Sequence, residues 1–287
     1  MYTVRVSPSV CRSDDEVEAM RGTLPNAYDY EYLIQEDAIV VEPTEGVLAR
    51  LVTNCLSKKL VTESAKLLRT VHGDLSNRGS IIHKGSMLNR ERTDGSLSFS
   101  KAVHPSILQR LRARNARLGL RGPYSDFLGY VDKARRTPFC RETAWSLDRP
   151  DILEISRPLV KEVEYVNKDE LPAHWQRQRE FMRRVSHDFK YHDSMFSTVT
   201  INLNVRCAYH TDDGDFPGGV GNLVVLELGR DESGILVMPR ERVAVLVRPT
   251  DCLLMNVHHM HGNLPLTVGG TRLTAVLYAR QNIDKCG

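Results

Sequence analysis

Residues 198–207 alternate without a break. Thr198, Thr200, Asn202, Asn204 and Arg206 fall on one face, and Val199, Ile201, Leu203, Val205 and Cys207 on the other. A two-residue period sends successive side chains to opposite sides of a strand. A strand over 196–207 is therefore predicted, with its apolar face on the core and its polar face either on solvent or, beside a possible metal site, lining a cavity. Further β-rich runs occupy 222–228, 234–239, 242–248, 251–257 and 271–280. Turn residues such as Asp213-Gly214-Asp215, Gly218-Gly219 and Gly269-Gly270 separate them. Short strands at this spacing predict a sandwich or jelly roll.

The first half is mixed. Residues 30–34 and 38–42 read as short strands joined by Gln35-Glu36-Asp37. Helical spacing over 57–71 places Leu60, Val61, Ala65, Leu67 and Leu68 for one buried face. Residues 105–118 predict a second helix, with Pro105 near its first turn and Gly119 past its end. Residues 172–189 predict a third. The expected fold is α+β: one domain over 1–287, with an N-terminal α+β layer (1–139) packed on the larger sheet of a jelly-roll core (140–283).

Composition changes this picture little. The 287 residues suffice for one sizeable core, and 41% hydrophobic with 26% charged is ordinary for a globular chain. No apolar run approaches the roughly 20 residues that span a bilayer. Met1-Tyr2-Thr3-Val4-Arg5-Val6 lacks a signal-peptide layout, so a cytoplasmic location is expected. Cys11, Cys55, Cys140, Cys207, Cys252 and Cys286 form no Cys-x-x-Cys pair and are expected as thiols. The net charge of +3 is mildly basic. Two arginine runs stand out: Arg110, Arg112, Arg114, Arg117 and Arg121, and then Arg177, Arg179, Arg183 and Arg184. Such runs are solvated helix faces or phosphate contacts.

The chemistry concentrates after the alternating strand. His210 and Asp212 are two apart, so in extended chain both reach one ion. Histidines recur at 258, 259 and 261, the last at the end of a later strand-like run. Two imidazoles and a carboxylate form the facial triad of non-haem Fe(II) oxygenases, which leaves coordination positions open. Arg272 opens the last strand, where its fork suits the distal carboxylate of 2-oxoglutarate. Arg280 shares its face but lies roughly 26 Å along the strand, so one of the two can serve, and Arg272 is better placed. Asn202, Asn204 and Arg206 are candidates to orient 2-oxoglutarate or substrate. Arg141 is a candidate on the substrate side. Asp213 competes with Asp212, but the two-residue spacing favours Asp212.

Asn202-Leu203-Asn204, His210-Thr211-Asp212-Asp213-Gly214, the run from Leu253 to Asn263, and Arg272-Leu273-Thr274-Ala275-Val276-Leu277-Tyr278 resemble the double-stranded β-helix dioxygenases. They are most similar to the TET/JBP branch (ten-eleven translocation and J-binding protein oxygenases) with its phage and bacterial relatives. The resemblance covers about 196–282, and extends more vaguely to Cys140-Arg141-Glu142-Thr143. It implies a cupin-like double-stranded β-helix. It places His210, Asp212 and His261 as iron ligands, with His261 chosen for the Gly262-Asn263 that follows, and Arg272 on 2-oxoglutarate. It implies Fe(II), 2-oxoglutarate and O₂ acting on a C–H bond. The implied substrate is the 5-methyl group of thymine or 5-methylcytosine in DNA, with the base flipped out and the arginine runs on phosphates. A free amino acid, nucleoside or other biosynthetic intermediate is the alternative substrate. A non-catalytic cupin-like binding protein is the remoter alternative.

Overall fold

The computed structural model describes residues 2–43, 46–69, 81–83, 86–87, 124–133, 138–229, 232–267 and 270–286. Numbered along the chain, the strands are β1 (Tyr2–Arg5), β2 (Tyr32–Ile34), β3 (Ala38–Glu42), β4 (Gly46–Val52), β5 (Ile81–His83), β6 (Ser86–Met87), β7 (Tyr124–Val131) and β8 (Arg141–Glu142). They continue with β9 (Thr198–Leu203), β10 (Arg206–Cys207), β11 (Gly221–Leu228), β12 (Leu236–Met238), β13 (Val243–Val245), β14 (Cys252–Met255), β15 (Gly262–Asn263) and β16 (Arg272–Tyr278). The helices are α1 (Asp14–Met20), α2 (Lys58–Leu68), α3 (Ala144–Asp148), α4 (Pro150–Glu170) and α5 (Pro172–Arg183).

The large sheet has the order β1-β3-β4-β14-β11-β16-β9-β7-β8, and the small sheet β15-β12-β13-β2. Past β10, a backbone bridge joins His210 to His261, beside β15. Strand β10 pairs with β5 in a third sheet, β10-β5-β6, and from β11 the chain crosses to β12 and β13 of the small sheet, returns to β14, crosses to β15 and returns to β16, which is the winding of a double-stranded β-helix. Strands from the first half extend the large sheet: β4 pairs with β14, and β7 with β9.

The alternation of β9 decides what each face meets. Val199, Ile201 and Leu203 join a core with Leu273, Ala275 and Leu277 of β16, roofed by Val61 and Leu68 of α2 and by Ile152, Leu159 and Val163 of α4. The helix roof is therefore on the large sheet, as expected, but its longest member was not anticipated. Helix α4 buries Ile152, Ser156, Leu159, Val160, Val163 and Val166, a 3–4 spacing. A second core, including Val225, Leu253, Met238 and Val243, fills the space between the sheets.

Several expectations are adjusted. The runs at 30–34 and 38–42 enter different sheets, because β2 runs parallel to β13 while β3 pairs with β4. The helix expected over 57–71 is α2, capped by the Ser57 hydroxyl, which accepts from Leu60 N–H at 3.4 Å. The run 172–189 divides into α5 and a 3₁₀ turn at His187–Phe189. The predicted helix at 105–118 and the first arginine run lie outside the described residues. Two of the six cysteines are not thiols: Cys140 and Cys286 form a disulfide across 146 residues, with Cα atoms 5.7 Å apart. Scattered spacing could not reveal that the fold brings the C-terminal turn back beside β8.

Candidate metal centre

His210 and His261 are a directly opposed antiparallel pair. His210 N–H donates to His261 O, and His261 N–H to His210 O, each at 2.9 Å. Opposed residues present their side chains on one face, and the two ring centroids are 4.5 Å apart. Asp212 is pinned by its N–H donating to Val257 O at 3.0 Å. Its carboxylate sits between the rings, Oδ1 3.7 Å from His210 Nε2 and Oδ2 3.6 Å from His261 Nε2. One donor atom from each residue lies within 4.8 Å of the others.

The donor chemistry fits iron. His210 Nδ1 faces Ala208 O at 2.8 Å, and His261 Nδ1 faces His259 O at 2.9 Å. A carbonyl can only accept, so each Nδ1 carries the proton and each Nε2 offers its lone pair toward Asp212. Burial, reinforced by the neighbouring His210, pushes the His261 pKa down to about 4, which keeps the ring neutral for a metal. The competing residues are otherwise engaged. His259 Nδ1 lies 3.1 Å from the buried Glu241 carboxylate, and Asp213 Oδ1 accepts from the Thr211 hydroxyl at 2.7 Å. His258 differs: its Nε2 is buried with no hydrogen-bond partner among the described residues, but it lies outside the three-residue group.

Gly262 and Asn263 now acquire a physical reason. A Cβ on Gly262 would stand 2.7 Å from Pro25 Cγ and 3.1 Å from Cys207 O, so only glycine lets β15 approach β10. Asn263 Oδ1 accepts from Cys207 N–H at 2.8 Å, tying the two segments together. On the other side of His210, Tyr209 exchanges backbone bonds with Gly22 and Thr23 at 2.8 and 2.9 Å. The Tyr209 hydroxyl donates to Asp29 at 2.9 Å.

The triad opens into a cavity of about 530 Å³. Strand β16 sends Arg272, Thr274, Val276 and Tyr278 into it, and β9 sends Thr200 and Asn202. Leu223, Leu236, Met255 and Val257 give it an apolar wall. Arg272 is buried, and among the described residues no carboxylate pairs with it; burial pulls its pKa down to about 10. It stays protonated at neutral pH. A buried guanidinium facing a cavity fits an incoming carboxylate, the group 2-oxoglutarate would supply.

Asn204, Arg206 and Arg141 are not on this cavity wall. Asn204 adopts φ 57°, which ends the strict alternation of β9. Its Oδ1 accepts from Arg272 N–H at 2.8 Å and its own N–H donates to Arg272 O at 2.8 Å. Asn204 thus fixes the start of β16 instead of lining the cavity. Past that kink, Arg206 turns outward and donates to Pro25 O at 2.9 Å. Arg141 is exposed on β8, at the edge of the large sheet. Arg280 does line the cavity, at the end opposite Arg272, where its Nε donates to Asp132 Oδ1 at 2.5 Å. Thr274 and Tyr278 were missed, although the alternation of β16 starting from Arg272 already placed them on the same face.

Comparison with known proteins agrees with this geometry. The curated "Thymine dioxygenase JBP1" of Trypanosoma brucei brucei is 33% identical over 196 residues, covering 64% of this chain and 23% of the relative. That of Leishmania major is 31% identical over 218 residues, covering 71% and 25%. The chain spans about a quarter of the length of these relatives. The solved structure of NgTET1 in complex with 5mC DNA superposes with a TM-score of 0.55 at 13% identity, covering 96% of this chain and 94% of that one, which shows the shared fold. The Tet_JBP family, described as the oxygenase domain of the 2OGFeDO superfamily, matches residues 126–281. Its match takes in the opposed histidines, Asp212 and Arg272, and the chain belongs to this family of 2-oxoglutarate- and Fe(II)-dependent oxygenases.

Proposed function

We propose that this chain hydroxylates the 5-methyl group of a pyrimidine in DNA, thymine or 5-methylcytosine, using Fe(II), 2-oxoglutarate and O₂. One observation carries the reading: a His210–Asp212–His261 triad shares one cavity with a buried arginine, Arg272, that no carboxylate pairs with among the described residues. Iron held by the triad would supply the oxidising chemistry, coupling decarboxylation of 2-oxoglutarate to C–H hydroxylation.

The protein's own residues do the rest. Arg272 receives the distal carboxylate, and Asn204 keeps it in place through the backbone. The wall of Leu223, Leu236 and Met255 excludes water from the reacting space. The loop of Asp213, Gly214 and Asp215 lines the cavity next to Arg280, and Asp213 is its exposed residue. Substrate enters there. Base identity is supported by the thymine dioxygenase relatives and by the neighbour crystallised with 5mC DNA. In the second arginine run, Arg177 and Arg179 contact Gly218 O and Asp193 O, and Arg184 lies 3.7 Å from Asp284, which leaves Arg183 as the exposed candidate for phosphate.

The test is succinate release with Fe(II), ascorbate and 2-oxoglutarate, in the presence of thymine- or 5-methylcytosine-containing DNA, nucleosides or amino acids. Mass spectrometry of the bases reads the product. DNA-dependent succinate with a 5-hydroxymethyl base is expected, with turnover falling steeply as salt rises. Stimulation by a free nucleoside or amino acid alone would replace DNA with a small-molecule substrate.

A further inference from the structure

We propose that Cys207 is a covalent acceptor for carboxylate-bearing carbon electrophiles, the α,β-unsaturated dicarboxylates being the natural class, and that Arg272 delivers them. The inference rests on the reading that Arg272 receives a carboxylate.

Cys207 belongs to the same cavity as Arg272. Its partner in β10, Arg206, points outward to Pro25 O. Strand alternation then turns Cys207 inward. The backbone is fixed there by Cys207 N–H donating to Asn263 Oδ1 at 2.8 Å. Its sulfur is close enough to the guanidinium that a thiolate would strengthen the arginine's hold on its proton. A cation beside a thiol favours the thiolate, which is the nucleophilic form.

The remaining thiols are not so placed. Burial pushes Cys55 up to about 12 and raises the fully buried Cys252 well above the usual thiol range. Cys11 is bonded to Ser7 O at the surface and lies outside the cavity. Among the described thiols, Cys207 alone shares a cavity with a buried arginine that has no carboxylate partner.

The addition balances without an oxidant. Sulfur forms a bond to the β-carbon of the unsaturated acid, the π electrons move to the α-carbon, and that carbon takes the thiol's proton. The thioether carries its carboxylates at Arg272, where 2-oxoglutarate would bind. Modification therefore closes the site to the cosubstrate. The device responds to dicarboxylates of the same chemical class as the cosubstrate and its product.

The experiment compares iodoacetate with its neutral isostere iodoacetamide on the folded, metal-free full chain, with the rate ratio normalised to a small thiol. Peptide mass mapping reads each cysteine. Cys207 is expected to favour iodoacetate by about tenfold, the scale of one charge-assisted hydrogen bond. Arg272→Met abolishes that preference and Arg272→Lys keeps most of it. Fumarate adds one equivalent at Cys207, and Cys207→Ser takes none. An unlabelled Cys207, equal normalised rates with the two reagents, or a preference that survives in Arg272→Met overturns the proposal. The labelling needs neither iron nor oxygen, so it separates from the oxygenase reading. Anion-selective labelling without turnover leaves the acceptor site standing and removes the function, whereas turnover with charge-indifferent labelling does the reverse.

Discussion

His210 and His261 hold each other: each donates its backbone N–H to the other's carbonyl at 2.9 Å. Neither backbone segment can shift without the other following. Gly262 sits next to this pair, and a Cβ there would meet Pro25 Cγ at 2.7 Å and Cys207 O at 3.1 Å. Gly262→Ala pushes β15 away from β10 and spreads the two Nε2 atoms. Co(II) titration by absorbance should show affinity lowered about 10- to 100-fold, the range for residues that orient ligands.

Asp212 is the most exposed member of the triad, with 37% of its side chain open to solvent. It belongs to none of the buried core clusters, so Asp212→Ala should leave the melting temperature of the metal-free protein unchanged. Co(II) affinity should fall by more than about 100-fold, beyond the outer-residue scale. Retained affinity would remove Asp212 from the ligand set.

The buried His261 makes the metal-free protein acid-sensitive. Burial and the neighbouring His210 put its folded pKa at about 4, below the ordinary imidazole value of 6.5. Between those values the unfolded chain binds more protons, so stability rises with pH through this window. It is fully present above 6.5 and is lost as pH falls toward 4. Urea unfolding of chelator-treated protein at pH 7 and pH 5 should show the lower stability at pH 5. His261→Asn should flatten the difference.

The disulfide makes a prediction of a different kind. Cys140 and Cys286 close a loop of 146 residues, and crosslinks of that length stabilise by up to about 5 kcal/mol through the unfolded state. Cys286→Ser, or dithiothreitol on the wild type, should lower the melting temperature. Dithiothreitol should not affect the variant further. Co(II) affinity should not move, because Cys286 packs with Phe181, Val185 and Ile283, away from the triad.

The sequence made the site legible where local geometry suffices. The two-residue period put His210 with Asp212, and the run opening at Arg272 marked the cavity strand. Asn204 shows where that logic ends: its left-handed backbone, φ 57°, breaks a period that is unbroken in the sequence, and Arg206 leaves the face with it. Helix α4 escaped because Pro158 lies inside it, where proline removes a helical hydrogen bond and usually marks an end. The core spacing of Ile152, Leu159 and Val163 overrides that cost. The Cys140–Cys286 bond, the His259–Glu241 pair and the Asn263 clamp join residues far apart in sequence or in different elements, and no local period encodes them.

Gly234 provides the test that separates cosubstrate from metal. It carries φ +82°, and a Cβ there would lie 2.7 Å from Arg272 Cδ and 3.3 Å from Arg272 Nε. Gly234→Ala therefore adds backbone strain on the order of 1 kcal/mol or more. It also drives the Arg272 stem off its position in the cavity. The triad is held by the His210–His261 backbone bonds and by Asp212 N–H on Val257 O, which involve neither Gly234 nor Arg272. Co(II) affinity should stay within about twofold of wild type, while the 2-oxoglutarate KM rises about tenfold, the value of one misaligned charge-assisted hydrogen bond. Arg272→Ala should show the same split more strongly. Parallel losses of metal and cosubstrate in both variants would mean that Arg272 supports the fold of the site and not the carboxylate.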